Sequence, residues 1–155
     1  MVALNQQRLD SLYMGRALEL AAEAAAAGEI PVGAVVVLSD SIIGEGRNRC
    51  VEDKDPSGHA EILALKAAAK EVGSFRIDGA TLYVTLEPCL MCCGAVLQSR
   101  VSRLVFGARE PRTGAVVSIH DSLRVAGVEP HVAVTEGVFA DESANILKQF
   151  FEALR

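Results

Sequence analysis

Two short clusters hold the residues most able to bind a soft metal or move a proton. One is Pro88-Cys89-Leu-Met-Cys92-Cys93 and the other is His59-Ala60-Glu61. Cysteines three positions apart at the start of a helix can turn both sulfurs toward one ion. The partial positive charge of a helix N-terminus favours their thiolate form. His59, at the start of a neighbouring helix, supplies a third ligand. Two thiolates and an imidazole suit Zn²⁺, and three protein ligands leave a fourth position for water, the arrangement of a catalytic rather than a structural zinc. Such a metal lowers the pKa of its water toward neutrality. Two thiolates also blunt the Lewis acidity of the dication; a proton shuttle beside the water helps to compensate, and Glu61 is the candidate. The expectation is one zinc per chain, held by His59, Cys89 and Cys92.

Other readings of the same residues stay open. Cys50 or Cys93 could close a four-ligand structural site, Cys93 could replace Cys92, and Cys-x-x-Cys alone could be a redox pair. A closed site has no use for Glu61, and a redox pair leaves His-Ala-Glu without a role. Cys93 reads as a small packed helix residue. Cys50 reads as a loop or packing residue, and His120 and His131 as surface or loop histidines.

The elements that must position these clusters follow from periodicity. Leu9, Leu12, Tyr13, Ala17, Leu20 and Ala24 mark one face of a helix over 8–27, with Gly28 just past its end. The β-branched run 30–38, the turn Ser39-Asp-Ser41 and the return at Ile42 predict an antiparallel hairpin. A second helix is expected over 59–70, a strand over 81–86 and a third helix over 89–99, with Pro88 in its first turn. Strands at 101–106 and 131–135 follow, then a closing helix over 141–154 with Asp141 as N-cap. One short helix is expected around 117–124. Strand–helix alternation from residue 59 onward predicts parallel crossovers.

Composition sets the bounds. The chain has 155 residues, half of them hydrophobic and 23% charged, with a net charge of −5. That is one domain over 1–155, able to bury its own core without disulfide staples. No apolar run is long enough to span a membrane. Nothing at the start reads as a secretory signal, so the expected location is cytoplasmic. The acidic balance argues against a general nucleic-acid coat.

His-x-Glu followed by Pro-Cys-x-x-Cys is the signature of zinc-dependent base deaminases. Beyond it the chain resembles the bacterial tRNA adenosine deaminases of the cytidine deaminase-like superfamily. The matching segments are Gly28-Glu-Ile-Pro-Val-Gly-Ala-Val, Asn48, Asp55-Pro-Ser-Gly-His-Ala-Glu-Ile, Leu82-Tyr-Val-Thr-Leu-Glu-Pro-Cys-Leu-Met-Cys, Val105-Phe-Gly-Ala-Arg, Thr113-Gly-Ala, Thr135-Glu-Gly-Val and the terminal Phe150-Phe151. They cover nearly the whole chain. The resemblance implies a three-layer α/β/α sandwich with a five-stranded mixed sheet whose last two strands are parallel. It implies hydrolytic deamination of adenosine to inosine at the wobble position of a tRNA anticodon stem-loop, by a homodimer. It implies that Asn48 hydrogen-bonds the target nucleoside and that Ile30 and Val32 line its pocket. Glu110 stands where the family usually carries Asp. The rival reading is a guanine, cytosine or deoxycytidylate deaminase, and the non-enzymatic rival is a zinc-containing scaffold subunit.

An acidic protein that holds RNA must segregate its charge. Residues 100–112 hold four arginines (100, 103, 109, 112) against one acid, Glu110. Arg47 and Arg49 flank Asn48, and Lys148 and Arg155 lie near Phe150 and Phe151. The expectation is a basic rim around the zinc pocket, with Arg109, Glu110 and Arg112 as substrate contacts and Phe150 as the aromatic on which a splayed base stacks.

Overall fold

A computed structural model describes residues 2–125, 127–128 and 131–155. Helix α1 spans Val2–Ala26, and strands β1 (Gly33–Leu38) and β2 (Ser41–Arg47) form the hairpin. Then come α2 (Ala60–Val72), β3 (Thr81–Leu86), α3 (Leu90–Ser99), β4 (Arg103–Ala108), β5 (Ala133–Glu136) and α4 (Ala140–Ala153). The sheet order is β2-β1-β3-β4-β5. β1 is antiparallel to both neighbours, while β3, β4 and β5 run parallel. The parallel pairing of the last two strands is the expected one.

Alternation along the strands builds two cores. Ala34, Val36, Leu82, Val84, Leu104 and Phe106 face α2 and α3, whereas Val35, Val37, Tyr83 and Val105 face α1. α4 packs beside α1 on β4, which completes the three layers. Glycines allow the helices to come close. A Cβ at Gly33 would strike the backbone of Ala17 in α1, and one at Gly44 or Gly46 would strike that of Ala64 or Ala60 in α2. The hairpin turns at Ser39 and Asp40, both in left-handed conformation (φ 51° and 59°), as a two-residue turn matched to the strand twist demands.

Several boundaries differ from the sequence expectation. α1 begins six residues earlier, at Val2; its first turns lie in solvent and carry no apolar stripe for periodicity to reveal. The run at 30–38 becomes strand only from Gly33. Pro88 precedes the N-cap of α3, which is Cys89. The stretch 117–124 holds only a single 3₁₀ turn, Ser122–Arg124. α4 starts at Ala140 with Phe139 as its N-cap, not Asp141, which sits in the first turn.

Candidate active site

His59 and Cys89 are the N-cap residues of α2 and α3, both in extended conformation, and neither side chain caps its own helix. Both are therefore left to face the point where the two helix starts converge. His59 Nδ1 lies 3.6 Å from Cys89 Sγ and 3.5 Å from Cys92 Sγ. A tetrahedral ion bound at about 2.3 Å to sulfur and about 2.0–2.1 Å to nitrogen would set each S···N edge at about 3.6 Å. Among the described residues, His59, Cys89 and Cys92 form the one group of donors that fits a metal, with all ligand atoms within 4.8 Å of one another. Cys93 is elsewhere: its buried thiol faces the carbonyls of Pro88 and Ala115. Cys50 is half-buried in the 48–58 loop, and His120 and His131 are exposed.

The ionisable groups at this point shift one another. Hydrogen bonds from Cys92 and His59 pull the Cys89 thiol down to about 3. The hydrogen bond with Cys89 holds His59 above its ordinary value. Glu61 is buried, only 5% exposed, and desolvation pushes its carboxyl above the usual carboxylate range. A half-turn along α2 from His59 thus suffices to put ligand and carboxyl on the same cavity.

That cavity has a volume of about 190 Å³. His59, Glu61 and Cys89 line it together with Ile30, Val32 and Asn48, as expected, and Glu110 reaches its edge. Ile30 is 44% exposed at the mouth, while Val32 is buried. Asn48 Oδ1 accepts the Ala60 amide at 2.9 Å, so this side chain caps α2 from across the chain. With its oxygen engaged at the start of α2, Asn48 keeps the two N–H donors of its amide to offer the cavity. The loop carrying Asn48 is held by buried Glu29, whose carboxylate accepts the amides of Val51 (3.1 Å) and Glu52 (2.8 Å).

The rim departs from expectation. Phe151, not Phe150, lines the cavity, and Phe150 stacks edge-on against it. Arg103 points inward and forms a bidentate pair with buried Asp10 at 2.7–2.8 Å. Arg47 and Arg49 are engaged by Glu52 and Asp53. Arg109 pairs with Glu136 at 2.8 Å and does not line the cavity. Arg112 lies in an adjoining groove of about 650 Å³, which shares Glu110, Leu147 and Phe151 with the cavity and also holds Pro111 and Arg155. Arginines counted along the chain do not reveal which carboxylates tertiary folding will bring to them. Sequence reasoning also passed over Leu86, Glu87 and Leu147 as cavity residues. The one available signal was that Leu86 and Glu87 directly precede Pro88-Cys89.

A five-stranded mixed sheet, with an imidazole, two cysteine sulfurs and a buried carboxyl gathered at two helix starts, defines a deaminase of the cytidine deaminase-like fold. The profile of the MafB19-like deaminases matches residues 9–155, and the chain belongs to the tRNA-specific adenosine deaminases within this class. It is 47% identical over 151 residues to the tRNA-specific adenosine deaminase of Haemophilus influenzae, covering 97% of this chain and 87% of that one. A solved structure from a study of A-to-I editing by tRNA:A34 deaminases at the wobble position of transfer RNA superposes with a TM-score of 0.84 at 40% identity. The match covers 87% of this chain and 98% of that one. The guanine deaminase from Nitrosomonas europaea is more distant, at 30% identity and a TM-score of 0.76, with 90% of this chain and 83% of that one covered.

Proposed function

We propose that this protein converts adenosine to inosine at the wobble position of a tRNA anticodon loop, with one zinc ion per chain held by His59, Cys89 and Cys92. The observation that carries the reading is the triad geometry beside buried Glu61 in a chain so similar, over nearly its full length, to tRNA-specific adenosine deaminases. When bound, the metal supplies a water acidic enough to act as the nucleophile near neutral pH. Glu61 moves the protons: it accepts one from the water, delivers it to the ring nitrogen and then assists departure of ammonia from C6. Burial keeps that carboxyl basic enough for the task. Asn48 donates its amide N–H to an acceptor of the target nucleoside, and Ile30 and Val32 pack against it. A target base is taken most cheaply from a single-stranded loop, where unstacking costs least.

The RNA contacts fall to the rim: Glu110 at the cavity edge, Arg112 and Arg155 in the adjoining groove, and Phe151 as the stacking aromatic with Phe150 behind it. Arg109 contributes after exchanging Glu136 for a phosphate. Exposed Leu90 and Met91 at the start of α3, with exposed Val117 and Ile119, support a homodimer built beside the site. Among the described residues no helix is long and apolar enough to cross a membrane. With four cysteines unpaired to one another, this fits a cytoplasmic location.

A substrate panel tests the reading. Inosine should form in an anticodon stem-loop RNA carrying a wobble adenosine. Ammonia released from free guanine, cytidine or deoxycytidylate, with none from the stem-loop, would move the protein to the guanine or pyrimidine deaminases.

A further inference from the structure

Glu87 directly follows β3, two residues before Cys89, and is 2% exposed. Five donors converge on its carboxylate. Oε1 accepts the Glu110 amide at 3.0 Å and the Ser118 hydroxyl. Oε2 accepts the consecutive amides of Val116, Val117 and Ser118 at 3.1, 2.8 and 2.9 Å. Three successive N–H groups aimed at one oxygen form an anion-binding nest, and here the anion is a side chain of the same protein. The whole 110–118 loop is thereby clamped to the segment that carries Cys89. The Ala115 amide adds a bond to the Pro88 carbonyl at 2.9 Å.

That loop forms the outer wall of the cavity through Glu110 and Thr113. Gly114 lies against the carboxylate, where a Cβ would strike Glu87 Cδ and meet the Glu110 carbonyl oxygen at 2.5 Å. Its φ is not in the left-handed region, so space, not backbone conformation, is what this position lacks. Loop and carboxylate fit each other from both sides.

We propose that Glu87 is a positioning residue for deamination: its carboxylate fixes the Glu110–Thr113 wall at a set distance from the Cys89 side of the cavity. The inference rests on the deaminase reading above, and it assigns Glu87 no proton and no contact with the metal. Glu87→Gln discriminates because an amide keeps one acceptor and turns the other into a donor. The three-amide nest demands the oxygen. The NH₂ group then faces the Glu110 amide, donor against donor, and Glu110 is released while the nest stays filled.

The experiment measures steady-state kinetics and zinc content of the full-length protein and its variants, on whichever member of the panel the wild-type protein deaminates. Failure of the tRNA reading therefore shows in the wild type and leaves this test standing. Glu87→Gln should raise KM about tenfold, the loss residing in KM rather than kcat, with one zinc per chain retained. Gly114→Ala, which displaces the same carboxylate from the loop side, should do likewise. The double variant should lose less than the product of the two single losses, since both disturb the same carboxylate–loop contact, Gly114→Ala through the Glu110 carbonyl as well. Ser118→Ala, which removes a single donor, provides a milder version should Glu87→Gln fail to fold. An unchanged KM in these variants, zinc lost together with kcat, or losses that multiply in the double variant would each overturn the proposal.

Discussion

The floor and the rim of the cavity are built by opposite means. The floor consists of His59, Glu61, Cys89 and Cys92, set at the first turns of two helices that are themselves packed into the core. The rim consists of Glu110, Arg112, Phe151 and their neighbours, on a loop and on α4, a helix whose one buried residue is Ser143. Within each helix start, floor positions follow from local chain geometry, three steps bringing two sulfurs together and two steps setting Glu61 beside His59, and the packed core then fixes one helix start against the other. Rim positions depend on which distant carboxylate reaches which arginine. Chemistry that tolerates no displacement sits on the first, and contacts that must adapt to an RNA loop sit on the second.

The largest effect should come from the floor. Glu61→Ala is expected to lower kcat by about 10²–10⁴-fold while elemental analysis still finds one zinc per chain. Cys92→Ala should lose the zinc itself, since the Cys93 thiol faces Pro88 and Ala115 and cannot turn in without repacking. A Glu61→Ala protein with normal turnover would erase the distinction between floor and rim, because the shuttle would lie elsewhere.

Next comes a residue that changes sides. Arg103 belongs to the basic stretch by sequence but to the core by structure, where Asp10 takes both its nitrogens and also accepts from Tyr83 and Gln6. Burial raises the Asp10 pKa, but the hydrogen bonds from Arg103, Tyr83 and Gln6 outweigh it and hold the group below its ordinary value of 3.8. A carboxylate whose folded pKa is depressed stabilises the protein above its unfolded pKa, and that contribution fades as pH falls through the folded value. Asp10→Asn should therefore cost about 3 kcal/mol at neutral pH, as measured by denaturant unfolding. The gap between variant and wild type should narrow below about pH 4. The salt dependence of RNA binding should not change. A changed salt slope would return Arg103 to the rim.

Smaller effects separate the members of the rim. Phe151→Ala should weaken stem-loop binding by about 1–3 kcal/mol, the worth of one stacked base, and Phe150→Ala by less, because Phe150 only backs the ring that lines the cavity. The reverse order would restore Phe150 as the stacking residue. Arg112→Ala should reduce the salt slope by about one phosphate equivalent. Arg109→Ala should do least, since Glu136 competes for its guanidinium. Equal slopes for the two would show that the pairing with Glu136 does not persist in solution.

The same contrast explains what could be read from the chain alone. The early hairpin, the parallel crossovers and the grouping of His59, Cys89 and Cys92 were legible because periodicity, strand–helix alternation and spacing encode them, whereas the parallel last strands came with the family resemblance and the full sheet order was not legible at all. Cys93 reads as a packed residue, but spacing alone does not choose between Cys92 and Cys93, since three and four steps along a helix share one face with Cys89; the choice is made by the Cys93 thiol facing the carbonyls of Pro88 and Ala115. The inward turn of Arg103 was not legible. It depends on Asp10, which lies 93 residues away along the chain, and no local pattern pairs the two. Phe150 and Phe151 could not be ranked either, because helix rotation by one residue decides which ring meets the cavity. The nest around Glu87 was hidden for a different reason: its donors are backbone amides, which every sequence supplies.

Asn48 serves two masters with one amide group, its oxygen holding the start of α2 and its nitrogen turned to the cavity. An aspartate could take over the first duty but would present an acceptor in place of the donor. Asn48→Asp is thus a route by which the hydrogen-bond preference of the pocket can invert in a single step while the scaffold persists. An apolar replacement would lose the cap, at about 1 kcal/mol, and the donor together.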